Sequence, residues 1–224
     1  MGILIAVEGT DSSGKQTQSE LLYKRLTDMG VKTRLVSFPA YECESSALVK
    51  MYLAGEFGQN PDDVNAYAAS SFYAVDRFAT YKMDWGKDYE DGTVIIADRY
   101  VPSNLIHQAS KIKDEAEKDK FIKWLDEFEY EQLGLPVPNV VVFLDMPTET
   151  AAKLMEKRAN KIDNSSQKDI HERNVDYLKK SYDNAKGIAR KLDWEIIPCT
   201  CGGEVRSVED ISGDVYAAAE KVMK

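Results

Sequence analysis

The chain is poor in the residues that disulfide and metal chemistry require, with three cysteines and two histidines in 224 residues. An odd number of cysteines in a chain of this length points to a reducing compartment. Cys199 and Cys201 form a lone C-x-C with no second ligand pair, which argues against structural zinc. Positive charge is also in deficit: 29 Lys and Arg face 38 Asp and Glu, a net charge of -9. No basic stripe exists to release counterions, which argues against a dedicated nucleic-acid binder but not against a local cluster of cations. No apolar run approaches membrane-spanning length, and the first residues lead straight into a strand. The expectation is a cytoplasmic protein with neither a membrane nor a nucleic-acid partner. Repeats and low-complexity linkers are missing too, so residues 1–224 read as one domain with room for a full core.

What is present is an alternation of apolar strand-like runs with helical patterns, the signature of a parallel sheet covered on both faces. The candidate strands are Ile3–Val7, Thr33–Phe38, Thr93–Ala97, Val140–Leu144 and Glu195–Ile197. A closing helix carries Val208, Ile211, Val215, Ala219 and Val222 as an apolar stripe, started by Ser207 and Asp210. Gly134-Leu-Pro136-Val-Pro138 is a turn into the fourth strand. The polar stretch Ala159–Lys168 lies between one helix ending near Arg158 and another expected to start at Asp169. It is either a passive connection or a lid that brings Arg158, Lys161, Lys168 and Arg173 over phosphates.

The densest chemical signal is Gly9-Thr-Asp-Ser-Ser-Gly14-Lys15. It follows the strand Ile3–Val7 and precedes Leu21, Leu22, Leu26 and Met29 at helical spacing, with Gly30 as a stop. Strand, glycine-rich turn and helix start together make a phosphate cradle. Backbone N–H groups turn inward, the helix N-terminus adds positive potential, and Lys15 is a mobile cation for the outer phosphates. The next position normally holds a Ser or Thr that ligates Mg²⁺. Here it is Gln16, with Thr17 one place later. An amide can hold a water of the metal shell but is a poor direct ligand, so Mg²⁺ would be held mainly by nucleotide phosphates.

Other residues gather at the carboxyl edge of the expected sheet, where ligands bind in open α/β folds. Asp98-Arg99-Tyr100 ends the third strand: Arg99 can clamp phosphate oxygens and Asp98 can hold a metal water, unless the two are only a surface ion pair. Phe38-Pro39-Ala40-Tyr41 ends the second strand, Phe38 as packing and Tyr41 as a candidate wall of a sugar or base site. Tyr73 and Arg77 are four apart on a helix and can grip one ligand, the ring stacking on a base and the guanidinium donating to a carbonyl. Ser103, Asn104 and Gln108 supply the hydroxyl and amides that a base edge needs.

In this order and over essentially the whole chain, these stretches resemble the thymidylate kinases. The resemblance rests on Val7-Glu-Gly-Thr-Asp11 into the phosphate loop, Phe38-Pro39, Tyr73 with Arg77, Asp98-Arg99-Tyr100, Ser103-Asn104, Gln108, and a charged segment before Asp169-Ile-His-Glu172. It implies a P-loop NTPase-type three-layer α/β/α fold with a five-stranded parallel sheet, a phosphate loop at about 9–17 and a short lid at about 158–169. It implies transfer of the γ-phosphoryl group of ATP to dTMP, giving dTDP and ADP on the route to dTTP, with Mg²⁺ and in a homodimer. Lys15, Arg99, Asp11 and Asp98 would be catalytic, and Gly9, Ser12, Ser13, Gly14, Lys15, Gln16 and Thr17 would hold the ATP phosphates. Asp11, Phe38, Tyr41, Tyr73, Arg77, Arg99, Ser103, Asn104 and Gln108 would form the dTMP site. The lid would contribute Arg158, Lys161, Lys168, Asp169, Glu172 and Arg173, and Asp11, Asp98 or Glu172 would reach the metal through water. With Ser12 and Ser13 in place of an arginine that some members carry, a basic lid residue would supply that charge.

Three other readings compete. A nucleoside kinase would need a general base, for which Glu8 or Asp98 could serve. A GTP-dependent switch is suggested by Asn160-Lys161-Ile162-Asp163, but that run follows a charged helix rather than an apolar strand. A nucleotide-binding protein without catalysis is favoured only by Gln16.

Overall fold

The computed structural model describes residues 1–159, 170–171 and 174–223, and of residues 155–159 it describes the backbone. In chain order the elements are β1 (Ile3–Glu8), α1 (Lys15–Asp28), β2 (Thr33–Ser37), α2 (Ala47–Ala54) and α3 (Ala66–Thr80). A wide helical turn, Tyr81–Trp85, carries α3 into α4 (Gly86–Glu90). There follow β3 (Val94–Asp98), α5 (Pro102–His107) and α6 (Glu115–Asp126), the last continued by a second wide turn, Glu127–Gln132. The chain then forms β4 (Val140–Asp145), α7 (Thr148–Ala159), α8 (Val175–Lys191), β5 (Glu195–Pro198), a small hairpin of β6 (Thr200–Cys201) and β7 (Glu204–Val205), and α9 (Val208–Glu220).

β1 lies at the centre of an all-parallel sheet of order β2-β3-β1-β4-β5. Its unbroken apolar run is explained by burial on both faces. Leu4 and Ala6 pack on one side with Trp85, Tyr100, Val101 and Phe121. Ile5 and Val7 pack on the other with Leu22, Leu26, Ile211 and Val215. This is the expected α/β/α arrangement, and each expected strand lies within a residue or two of its place. Because all five strands are parallel, they deliver their carboxyl ends to one edge.

Side chains start several helices in the expected way. Asn65 accepts from Ala68 N, Asp114 from Glu117 N, and Ser207 from Asp210 N. One boundary differs. The helix expected from Asp169 begins instead at Val175, because Asn174 accepts from Tyr177 N and so fixes the first turn there. Ile170 and His171 precede it as a turn, with Ile170 N donating to Leu53 O at 3.2 Å.

Candidate active site

β1 ends in Glu8 and passes through the glycine-rich loop into α1 at Lys15. Gly9 is required here by close approach, since a Cβ would meet Ser13 Oγ at 2.4 Å. Gly14 sits at the start of α1 with φ 93°, a left-handed conformation that favours glycine. Thr10 Oγ1 and Ser13 Oγ are buried with no hydrogen-bond partner among the described residues. The first N–H groups of α1 likewise lack intrahelical acceptors. A phosphate group fits this set of orphan donors. The Lys15 ammonium is almost fully buried and donates to Thr10 O at 2.7 Å. Burial, and then the charge of Arg99, lower its pKa to about 8, while Asp11, Asp98 and Glu8 oppose the drop.

The side chain of Gln16 is turned away from the cradle: its exposed amide donates to Glu20 Oε1 at 2.9 Å, one helical turn on. Ser12, at φ 59°, and Thr17 are half-buried beside the loop. No cluster of three or more His, Cys, Asp or Glu able to hold a metal exists among the described residues. The carboxylates that flank the cradle, Asp11 and Asp98, suit a metal reached through water and carried in on phosphates rather than a protein cage.

Arg99 follows β3 in a left-handed conformation, φ 67°, with its N–H on Val7 O at 3.1 Å. This turn aims its guanidinium back across β1. Nη2 donates to Asp11 Oδ1 at 2.5 Å, and Nη1 lies 3.4 Å from His107 Nε2. The Asp11 carboxyl is held well below its ordinary range by Arg99, against the opposing effect of burial. Asp98 is raised by burial, with Arg99 and Lys15 pulling the other way.

Glu8 is fully buried under the same turn. It accepts from Tyr100 N at 2.8 Å and from Ser103 Oγ at 2.6 Å, and burial lifts its pKa to about 7. These bonds tie β1 to the start of α5. They also leave Glu8 poorly placed as a general base for a hydroxyl acceptor, since both oxygens are engaged and the group is sealed from solvent. Ser103 gives its hydroxyl hydrogen to Glu8, so toward a ligand it can only accept.

Beside Arg99 lies a cavity of about 260 Å³. All nine residues expected to form the acceptor site line it. Asp11, Arg99 and Ser103 stand at the phosphate-loop end. Phe38 is a wall of the cavity, and its ring also packs on Trp85 and Tyr100 in the core. Tyr41 is half exposed at the mouth, in a loop held by Asp76, which accepts from Ala40 N and Ser45 Oγ. Tyr73 and Arg77 come from α3, and Asn104 and Gln108 from α5 and its end.

Four contributors were not legible in the places they hold, Glu8 having been read only as a candidate general base. Glu129, fully buried in the turn after α6, accepts from Arg77 Nε at 2.7 Å, Arg77 Nη2 at 2.6 Å and Asn104 Nδ2 at 3.1 Å. Glu8 is the second. His107 and His171 also line the cavity, stacked with centroids 6.1 Å apart. Burial pushes both imidazoles down to about 3, so both are neutral. His107 had a signal, one turn after Ser103 on the same helix face. The other three meet the site only through tertiary packing.

The expected lid at 158–169, with Lys161, Lys168, Asp169, Glu172, Arg173 and the side chain of Arg158, lies outside the described residues, as does the run Asn160–Asp163. A larger cavity of about 690 Å³ opens between the start of α6 and α8, but its lysines alternate with Asp62, Glu115, Asp176 and Asp183 and it touches no phosphate-loop residue. In the loop after β5, Arg206 is engaged with Pro198 O and Asp214. No helix among the described residues is long and apolar enough to cross a membrane.

A phosphate cradle joined by one arginine to a small closed pocket is the layout of a phosphotransferase. The thymidylate kinase family model matches residues 7–209. Thymidylate kinase of Mycobacterium tuberculosis (strain H37Rv) is 31% identical over 177 residues, covering 78% of this chain and 79% of that protein. The human thymidylate kinase is 30% identical over 152 residues, 68% of this chain and 65% of its own length. A putative thymidylate kinase of Aeropyrum pernix is 26% identical over 226 residues, 99% of this chain and 96% of its own. Site geometry and sequence likeness agree: the chain belongs to the thymidylate kinase family.

Proposed function

We propose that this protein transfers the γ-phosphoryl group of ATP to the phosphate of dTMP, giving dTDP and ADP on the route to dTTP. The observation that carries the reading is the placement of Arg99, which lines the acceptor cavity while bonded to Asp11 of the phosphate loop. A guanidinium there would bridge donor and acceptor phosphates. The acceptor oxygen is already ionised at neutral pH, so no general base is needed, consistent with a Glu8 sealed beneath the site. Positioning and charge neutralisation would supply the rate.

Lys15 would leave Thr10 O for the outer phosphates, the loop N–H groups and helix α1 would hold the rest, and Arg99 would align the acceptor. Mg²⁺, when bound, would neutralise charge on the phosphates, with Asp11 and Asp98 within reach through water. Tyr73 would stack on the base while Arg77 and Asn104 read its edge. A cavity of about 260 Å³ is small for a ligand pocket, in keeping with a single base as its occupant. A single domain of residues 1–224, a basic lid at about 158–169, a homodimer, a cytoplasmic location and the absence of nucleic-acid or membrane partners complete the proposal. These rest on the sequence pattern and the resemblance.

An ADP-release assay with ATP and Mg²⁺ tests it against dTMP, dUMP, dCMP, dGMP and thymidine. Turnover with dTMP supports the reading. Turnover with thymidine alone would make the protein a nucleoside kinase, and tight ATP binding without any turnover would make it a non-catalytic binder.

A further inference from the structure

We infer that Glu129 is the positioning residue that fixes the hydrogen-bond polarity of the base-reading wall, so that the pocket takes a 4-oxo pyrimidine and refuses its 4-amino counterpart. The inference rests on the kinase reading above and concerns how its acceptor is chosen.

The argument starts from what each group is able to do. A carboxylate clasped by an arginine fork accepts hydrogen bonds and donates none. Glu129 Oε2 accepts from Arg77 Nε, and Oε1 accepts from both Arg77 Nη2 and Asn104 Nδ2. One oxygen atom therefore holds the heads of Arg77 and Asn104 side by side in the cavity wall. The orientation of the Asn104 amide follows by chemistry. Its nitrogen faces two acceptors, Glu129 Oε1 at 3.1 Å and Ser70 O at 3.4 Å, and only the NH₂ end can sit there. Its carbonyl oxygen Oδ1 is left for the ligand. The fork of Arg77 has N–H groups beyond those that bind Glu129, and only a long contact of 3.5 Å from Nη1 to Tyr100 O engages them.

The wall thus offers a donor at Arg77 beside an acceptor at Asn104. A ring with C=O next to N–H, as in thymine or uracil, is complementary to that pair. A ring with an amino group next to an unprotonated nitrogen, as in cytosine, opposes donor to donor and acceptor to acceptor. Such mismatches in a buried site are strongly rejected because the polar groups are left unpaired. Glu129 need not touch the nucleotide to impose this choice. Nor does it distinguish thymine from uracil, which share the same edge.

Purified wild-type, Glu129→Gln and Glu129→Asp proteins would be assayed with ATP, Mg²⁺ and either dTMP or 5-methyl-dCMP, which keeps the methyl group and changes only the polarity of the edge. The wild type should prefer dTMP by at least about 100-fold in kcat/KM. Glutamine has one acceptor oxygen, so its NH₂ end must oppose either Arg77 Nε or the site shared by Arg77 Nη2 and Asn104 Nδ2. Either the arginine is unclasped or the hold on Asn104 is reduced to the long contact with Ser70 O. The ratio should then fall at least about tenfold, mainly through KM, equivalent to ~1.4 kcal/mol of discrimination. Glu129→Asp keeps the carboxylate and should keep the ratio, even if turnover declines.

A folded Glu129→Gln protein whose ratio stays within about threefold of wild type would overturn the inference, as would an equal loss of ratio in Glu129→Asp. If Glu129→Gln does not fold by circular dichroism, Asn104→Leu decides. Loss of its acceptor should lower the same ratio at least about tenfold, and an unchanged ratio would overturn the inference. Wild-type turnover on dTMP is the control that keeps failure here separate from failure of the kinase reading.

Discussion

Arg99 Nη2 donates to Asp11 Oδ1 at 2.5 Å, joining the turn after β3 to the phosphate loop across 88 sequence positions. The pair is only partly exposed, and the carboxylate holds the guanidinium against the cradle. Replacing Arg99 with Met should lower kcat by about 10²–10³, the usual loss when one preorganised donor to a developing charge is removed. Asp11→Asn should cost less, because the guanidinium stays but is aimed less firmly. Steady-state kinetics on both variants would check the order, and a greater loss in Asp11→Asn would contradict it.

Gln16 offers a contrast with Lys15. Its amide is bonded to Glu20 on the outside of α1, so Gln16→Ala should leave turnover within about threefold of wild type, the loss of one exposed i,i+4 contact being worth only ~0.2–0.5 kcal/mol. Lys15→Met should reduce it about 10²-fold or more. Titrating Mg²⁺ for each variant would show whether Gln16 matters to the metal. A large shift for Gln16→Ala would restore it to the site.

Tyr73→Ala should act on acceptor binding. Loss of a stacking ring weakens binding by ~1–3 kcal/mol, so KM for dTMP should rise while kcat changes little. An effect confined to kcat would remove Tyr73 from the base site.

Stability should depend on pH through the buried titratable groups. Between pH 4.5 and 6.5 the unfolded chain protonates His107 and His171, whose folded pKa values lie near 3. Over the same interval the folded protein protonates Glu8, lifted to about 7, which the unfolded chain releases. The two histidines outweigh the one carboxylate, so stability falls as pH falls, by roughly 1.4 kcal/mol per unit near pH 5 and less toward pH 6.5, where the unfolded imidazoles are half protonated. Urea denaturation at pH 5 and pH 6.5 would measure the slope. His107→Phe, which leaves the counts equal, should flatten it.

The strands and the phosphate loop were legible because their signals are local: a buried parallel strand reads as an unbroken apolar run, and a phosphate cradle needs its glycines within a few residues. The lining of the cavity beside Arg99 was legible residue by residue through resemblance, and Tyr73 with Arg77 also through helical spacing. Glu129 was not, since it lies 52 positions from Arg77 in a wide turn that no periodicity marks. Glu8 was visible as a strand-end carboxylate and a candidate base, but its burial under Tyr100 and Ser103 depends on how β3 returns beside β1. The start of α8 was misplaced because Asp169 and Asn174 are both residues that start helices, and only the contact of Ile170 with Leu53 O tells them apart.

If Lys15 serves the nucleotide as proposed, its bond to Thr10 O means that the loop competes for its own lysine. Arrival of a triphosphate is an exchange, in which an internal charge-assisted hydrogen bond is surrendered for an external one. The observed affinity therefore understates the phosphate contact by the strength of the bond given up, ~1.5–3 kcal/mol for a charged donor. After transfer the outer phosphate has left with the product, and the carbonyl can reclaim the ammonium. The carbonyl would thereby compete with the shortened nucleotide for Lys15 and hasten its departure, leaving the overall equilibrium of transfer unchanged.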